Sequence, residues 1–200
     1  MKKMDMVEFR LVNDPTMPPI IITMDEDDNK FYNEYTQKKE INDSKFFSND
    51  LNKVYKYLIS DLFIKKLENL TNTKKLIIDS NMIGGGLTIS PPNSHLQKHT
   101  DFNFNSKLKL YRCVNVILYL NYDWNENDGG FLELYDISGN NNKKILPTNN
   151  TLFIFKSNNN TPHGFTKIIS NKCRKSLNLW YYTDCSPENV DTTPHKTKWI

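Results

Sequence analysis

The chain has 200 residues, with 26 Lys and Arg against 23 Asp and Glu for a formal charge of +3. Its basic residues are scattered, which excludes the charged stripe of a nucleic-acid binder. The length suits one domain with a full core, and no apolar run approaches the ~18 residues of a membrane span.

Met1 to Arg10 mixes charged and apolar residues without the apolar core of a secretory signal. The three cysteines, Cys113, Cys173 and Cys185, have no metal-ligand spacing and leave an odd thiol under any pairing. Reduced thiols in a cytoplasmic protein are the simplest reading. The expected partners therefore include neither membrane nor nucleic acid, and oligomeric state is not readable.

Residues 1–74 read as N-terminal support. They are polar and irregular to about residue 47, apart from the apolar run Pro18–Met24, which has the makings of a strand. The acidic cluster Asp25–Asp28 reads as a solvated turn, because nothing nearby completes a ligand set. Between Ser48 and Leu70 the residues Leu51, Val54, Tyr55, Leu58, Leu62, Leu67 and Leu70 recur mostly at spacings of three and four, with Ile64 off the stripe. That period predicts one amphipathic helix, N-capped by Ser48 or Asn49. Residues Phe31 to Asn49, polar and beside the expected barrel, are a candidate substrate lid.

From Lys75 onward the period becomes two. The runs Leu76–Asp79, Leu87–Ser90, Leu96–Asp101, Cys113–Asn121, Phe131–Asp136, Lys144–Leu146, Thr151–Phe155, His163–Ile169 and Lys175–Thr183 read as strands. Turn-formers separate them, the Asn runs 140–142 and 158–160 among them. The fold class is mainly β with flanking helices, a double-stranded β-helix or jelly-roll barrel over 75–184. A tail, 185–200, holds Pro187 and Pro194 and reads as irregular. The whole of 1–200 forms a single domain.

His99-Thr100-Asp101 sets an imidazole and a carboxylate two residues apart, which on a strand puts both on one face about 6.6 Å apart at Cα. His163 opens a later strand 62 positions after Asp101. Two imidazoles and one carboxylate leave three octahedral positions open, the ligand set of non-haem Fe(II) oxygenases, although zinc would accept the same residues. His95 and His195 read as non-ligands. Eleven residues after His163 comes Arg174, sharing a strand face with Ser176, Asn178 and Trp180 across a presumed hairpin turn at Ser170–Cys173. A guanidinium buried there needs an anion, and a dicarboxylic ligand supplies one; a surface arginine beside Lys172 and Lys175 is the alternative.

The order His-X-Asp, His163, Arg174 resembles the 2-oxoglutarate oxygenase superfamily. Arg112-Cys113-Val114-Asn115-Val116-Ile117-Leu118-Tyr119-Leu120-Asn121-Tyr122-Asp123-Trp124 with Gly129-Gly130 is similar to its prolyl 4-hydroxylase branch. Thr161-Pro162-His163-Gly164 and Leu179-Trp180-Tyr181-Tyr182 extend the likeness over about residues 84–183. The resemblance implies Fe(II) held by the catalytic residues His99, Asp101 and His163. It also implies 2-oxoglutarate as co-substrate gripped by Arg174 and Tyr119, O2 as oxidant, ascorbate as reductant, and pocket walls at Leu132 and Trp180. Strand parity adds Ile117, as pocket wall or as plain core. Gly129-Gly130 reads as a tight turn. Where some relatives have a tyrosine ten positions before the first iron ligand, this chain has Ile89. The implied activity is hydroxylation of a C–H bond in a prolyl residue of a peptide or protein. Alternatives are a free amino acid or other small molecule as substrate, and a non-catalytic metal-binding jelly-roll module.

Overall fold

The structure, a computed structural model, describes residues 6–10, 30–33, 36–136, 138, 142–184 and 192–200. The runs 18–24 and 25–28 and the start of the 140–142 turn lie outside the described residues.

Fourteen strands share one sheet among the described residues. They are β1 (Met6–Arg10), β2 (Lys30–Asn33), β3 (Thr36–Ile41), β4 (Ile77–Ile78), β5 (Gly86–Ser90), β6 (Leu96–Thr100), β7 (Phe104–Asn105), β8 (Leu110–Tyr119), β9 (Leu132–Tyr135), β10 (Asn142–Ile145), β11 (Thr151–Lys156), β12 (His163–Phe165), β13 (Arg174–Thr183) and β14 (Lys198–Trp199). The path runs β1-β11-β8-β13-β5-β3-β6-β12-β9-β10, open at its ends, with β14 added on β6. The sheet folds on itself as a jelly roll. Leu132 and Leu134 of β9 and Ile145 of β10 meet Ile117, Tyr119, Phe153 and Phe155 of the other half in one buried cluster.

Alternation assigns the faces. Leu177, Leu179 and Tyr181 of β13 and Val114, Val116 and Leu118 of β8 pack outward against the helices, with Leu51, Leu58, Phe63 and Leu67. Arg174, Ser176, Asn178 and Trp180 point the other way, into the fold.

Where one helix was expected there are two, α1 (Asn49–Leu58) and α2 (Asp61–Thr71). Ser48 caps the first, and Ser60 stops the run by capping the second, its Oγ accepting from Phe63 N at 3.3 Å. This restart shifts the phase of the apolar stripe. Phe63, Leu67 and Thr71 are buried, whereas Leu62 is 60% exposed.

Three further expectations change. Residues before 47 contain strands, and β3, within the candidate lid, is built into the sheet between β5 and β6. The tail is not irregular throughout, since β14 pairs with β6. Finally, β12 and β13 do not form a hairpin: β12 pairs with β6 and β9, and β13 with β8, β5 and β4. The segment between them crosses from one half of the jelly roll to the other.

Candidate metal centre

His99 is the last residue but one of β6 and His163 begins β12, and the two are directly opposite in the antiparallel register. Asp101 lies just past the end of β6. One ligand atom from each of the three falls within 4.8 Å of the others. His99 Nε2 is 3.7 Å from Asp101 Oδ1 and His163 Nε2 is 3.6 Å from Oδ2, while the imidazole centroids stand 4.5 Å apart. Gly164 permits this approach, since a Cβ there would sit 2.5 Å from Leu96 O.

Both imidazoles direct Nδ1 at a carbonyl two residues back, Gln97 O at 2.9 Å and Thr161 O at 3.0 Å. Nδ1 therefore carries the proton and donates, and the Nε2 lone pair faces the carboxylate. Burial pushes His163 down to about 4, against the raising effect of Asp101, so the ring is neutral at ordinary pH. Burial also acts to raise Asp101, but Arg112, His163 and His99 together outweigh it and hold the carboxyl well below the usual range.

The back of the carboxylate is closed. Oδ2 accepts from Arg112 at 2.9 Å, Asn115 Nδ2 at 2.8 Å and Ser157 Oγ at 2.9 Å. Arg112 also donates through Nε to Asn115 Oδ1 at 3.0 Å and stacks 3.9 Å over the Trp180 ring. With Oδ2 occupied, Oδ1 is the oxygen left to bind a cation. The donor set thus fits a divalent metal with open positions.

Arg174 is buried at 5% exposure. Its Nε donates to Gly130 O at 3.0 Å and its NH2 lies 3.3 Å from the Tyr119 hydroxyl, and it packs over the rings of Phe165 and Tyr119. Burial lowers its pKa. Among the described residues no carboxylate pairs with it, so a buried guanidinium is left to an anionic ligand. Gly129 and Gly130 form the expected tight turn at φ +69° and +67°, and a Cβ on Gly130 would meet Arg174 Cδ at 3.3 Å.

Leu132 and Ile117 line the same cluster as Tyr119, whereas Trp180 belongs to the Arg112 end. Ile89, opposite Lys175, shares the outward parity of Leu87 and so faces away from the ligands. His95 is exposed, and His195 bonds Asn159 and Lys196 instead of joining the cluster. Sequence reasoning missed Arg112, Asn115 and Ser157 behind Asp101, and Trp199 on β14, whose ring centroid is 4.9 Å from that of His99.

The pattern of the 2OG-Fe(II) oxygenase superfamily matches residues 85–182. Prolyl 3-hydroxylase OGFOD1 of Xenopus laevis is 31% identical over 99 residues, 44% of this chain; the chain spans 19% of that relative's length. Among solved structures, a prolyl hydroxylase from Trichoplax adhaerens, in complex with a hypoxia inducible factor peptide fragment, aligns at TM-score 0.53 and 26% identity. That alignment covers 74% of this chain and 63% of the other. A Pseudomonas putida prolyl-4-hydroxylase aligns at TM-score 0.56 and 19% identity, over 78% and 77% of the two chains. Residues 85–182 belong to the 2OG-Fe(II) oxygenase superfamily, and the chain is similar there to prolyl hydroxylases.

Proposed function

We propose that this chain is an Fe(II)- and 2-oxoglutarate-dependent dioxygenase that hydroxylates a prolyl residue of a peptide or protein. The observation that carries the reading is the pairing of two features: three convergent ligand atoms within 4.8 Å, and a buried Arg174, bonded to Tyr119, that no carboxylate among the described residues pairs with. The prolyl substrate is supported by the prolyl hydroxylases that the chain resembles. A cytoplasmic setting is supported by the free thiols of Cys113 and Cys173.

His99, Asp101 and His163 are the metal ligands in this reading. Bound iron and 2-oxoglutarate supply the oxidising chemistry, in which O2 is consumed and the co-substrate becomes succinate and CO2. The protein orients and shields. The Nδ1 bonds fix both imidazole tautomers, and the donors on Oδ2 restrict Asp101 to one oxygen. Arg174 and Tyr119 hold the distal carboxylate of the co-substrate by charge-assisted hydrogen bonds. Ile117, Leu132 and Phe155 exclude water around it.

The test supplies Fe(II), ascorbate and 2-oxoglutarate with proline-rich peptides or free L-proline. Succinate formation and one added oxygen atom in a peptide are measured together. His99→Ala and Asp101→Ala should abolish both. Oxygen addition to free proline alone would transfer the assignment to small-molecule substrates, and full turnover by His163→Ala would refute the ligand set.

A further inference from the structure

Resting on that reading, we propose that residues 193–200 form a strap walling the substrate side of the metal site, with Trp199 as its specificity-determining residue. The segment runs antiparallel to β6 and its continuation. Lys198 is opposite Thr100 and Trp199 opposite His99, and Ile200 N donates to Lys98 O at 2.8 Å. Further back, Asn103 grips the backbone twice, donating to Thr193 O and accepting from His195 N, both at 2.9 Å. The His195 ring reaches Asn159 in the loop before His163, with Nε2 2.5 Å from Oδ1. The strap is thus tied both to the strand bearing His99 and to the loop that delivers His163.

Its side chains alternate. His195, Thr197 and Trp199 are half-buried, while Lys196, Lys198 and Ile200 are exposed. Directly opposite residues of an antiparallel pair share a face, so Trp199 lies on the ligand side, its ring at 42° to His99.

The side chains behind the ligands are closed off. Arg112, Asn115, Ser157 and Phe155 are all buried, and the Phe155 ring flanks His163 at 5.0 Å. Trp199, by contrast, reaches solvent. In this proposal the approach to the ligands passes along the strap, and an indole face is what the incoming group meets. An apolar, C–H-rich ring such as proline packs on such a face, whereas a charged anionic group gains nothing from it.

The experiment uses the full chain with Fe(II) and 2-oxoglutarate in air and no added substrate. One oxygen atom of O2 enters succinate as CO2 leaves; the other, lacking a substrate, inserts into a nearby protein C–H bond and converts it to C–OH. After cleavage at Asp191, most of that oxygen is expected in the 192–200 peptide, on Trp199. It is expected to be absent from Asp101→Ala and suppressed by any prolyl peptide that is turned over. Trp199→Ala should lower kcat/KM for such a peptide about tenfold or more through KM, with the KM for 2-oxoglutarate within about twofold.

Succinate formation with the oxygen mapped elsewhere overturns the strap and leaves the oxygenase reading standing. Absence of succinate counts against the oxygenase reading, and oxygen-free Co(II) titration then decides the geometry. The emission difference between wild type and Trp199→Phe is quenched if Trp199 flanks the metal; a constant difference refutes it.

Discussion

The Arg112 guanidinium lies 2.9 Å from Oδ2 of Asp101, the guanidinium buried and Asp101 partly so. This ion pair sits behind the candidate metal ligand Asp101, where it fixes the carboxylate's rotation and leaves Oδ1 forward. Partners that orient metal ligands are worth about 10–100-fold in metal affinity. Arg112→Met should therefore weaken Mn(II) binding about tenfold or more, read by calorimetric titration of the folded protein. Unchanged affinity would show that Asn115 and Ser157 suffice.

Arg174 and Tyr119 should separate in magnitude. Loss of a charged hydrogen-bonding partner costs about 1.5–3 kcal/mol and of a neutral one about 1 kcal/mol. Arg174→Ala should raise the KM for 2-oxoglutarate about 10–100-fold and Tyr119→Phe only about fivefold. Both are read from succinate rates against co-substrate concentration. Equal effects would place the anion elsewhere.

The neutral His163 makes metal-free stability acid-sensitive. Its pKa falls from 6.5 to about 4 on folding, chiefly through burial, so between those values the unfolded chain binds more protons than the folded one. The stabilisation is complete above about pH 6.5 and is lost as pH falls toward 4, by up to about tenfold in the unfolding constant per pH unit. Asp101, lowered from 3.8, adds a loss at lower pH. Urea midpoints at about pH 5 and about pH 7 should differ less in His163→Gln than in wild type.

Ser60 caps α2. Ser60→Ala should cost about 1 kcal/mol and lower Tm by about 2–4 °C without changing co-substrate affinity. Thermal unfolding in parallel with succinate assays would expose any coupling of this helix to the site.

The convergence of His99, Asp101 and His163 was legible because it needs only residue type and strand parity, and the inward face of β13 followed from the same parity. Arg112 was not legible, for a definite reason. Counting back by twos from Tyr119 through Ile117 and Asn115 points Cys113 inward and Arg112 outward. The structure inserts a bulge there: Tyr181 pairs with Val114 and Tyr182 with Arg112, leaving Cys113 unpaired. The bulge reverses the phase, as bulges do, and brings Arg112 and Asn115 to one face although they are three residues apart. Cys113 turns instead into the helix-side core, its Sγ 3.3 Å from Tyr181 O. The helix break escaped for a similar reason, because a serine inside a good period restarts the phase. Trp199 carried no local signal: a two-residue strand has no periodicity, and its partner is 100 positions away.

Both histidines of the candidate metal site take their Nδ1 acceptor from the main chain two residues earlier, Gln97 O and Thr161 O. A peptide carbonyl has no ionisation state, and substitution at either position does not remove it. The proton arrangement of the two rings is thus insulated from side-chain chemistry, and drift at residues 97 or 161 can alter solubility or substrate contacts while the coordinating lone pairs keep their aim.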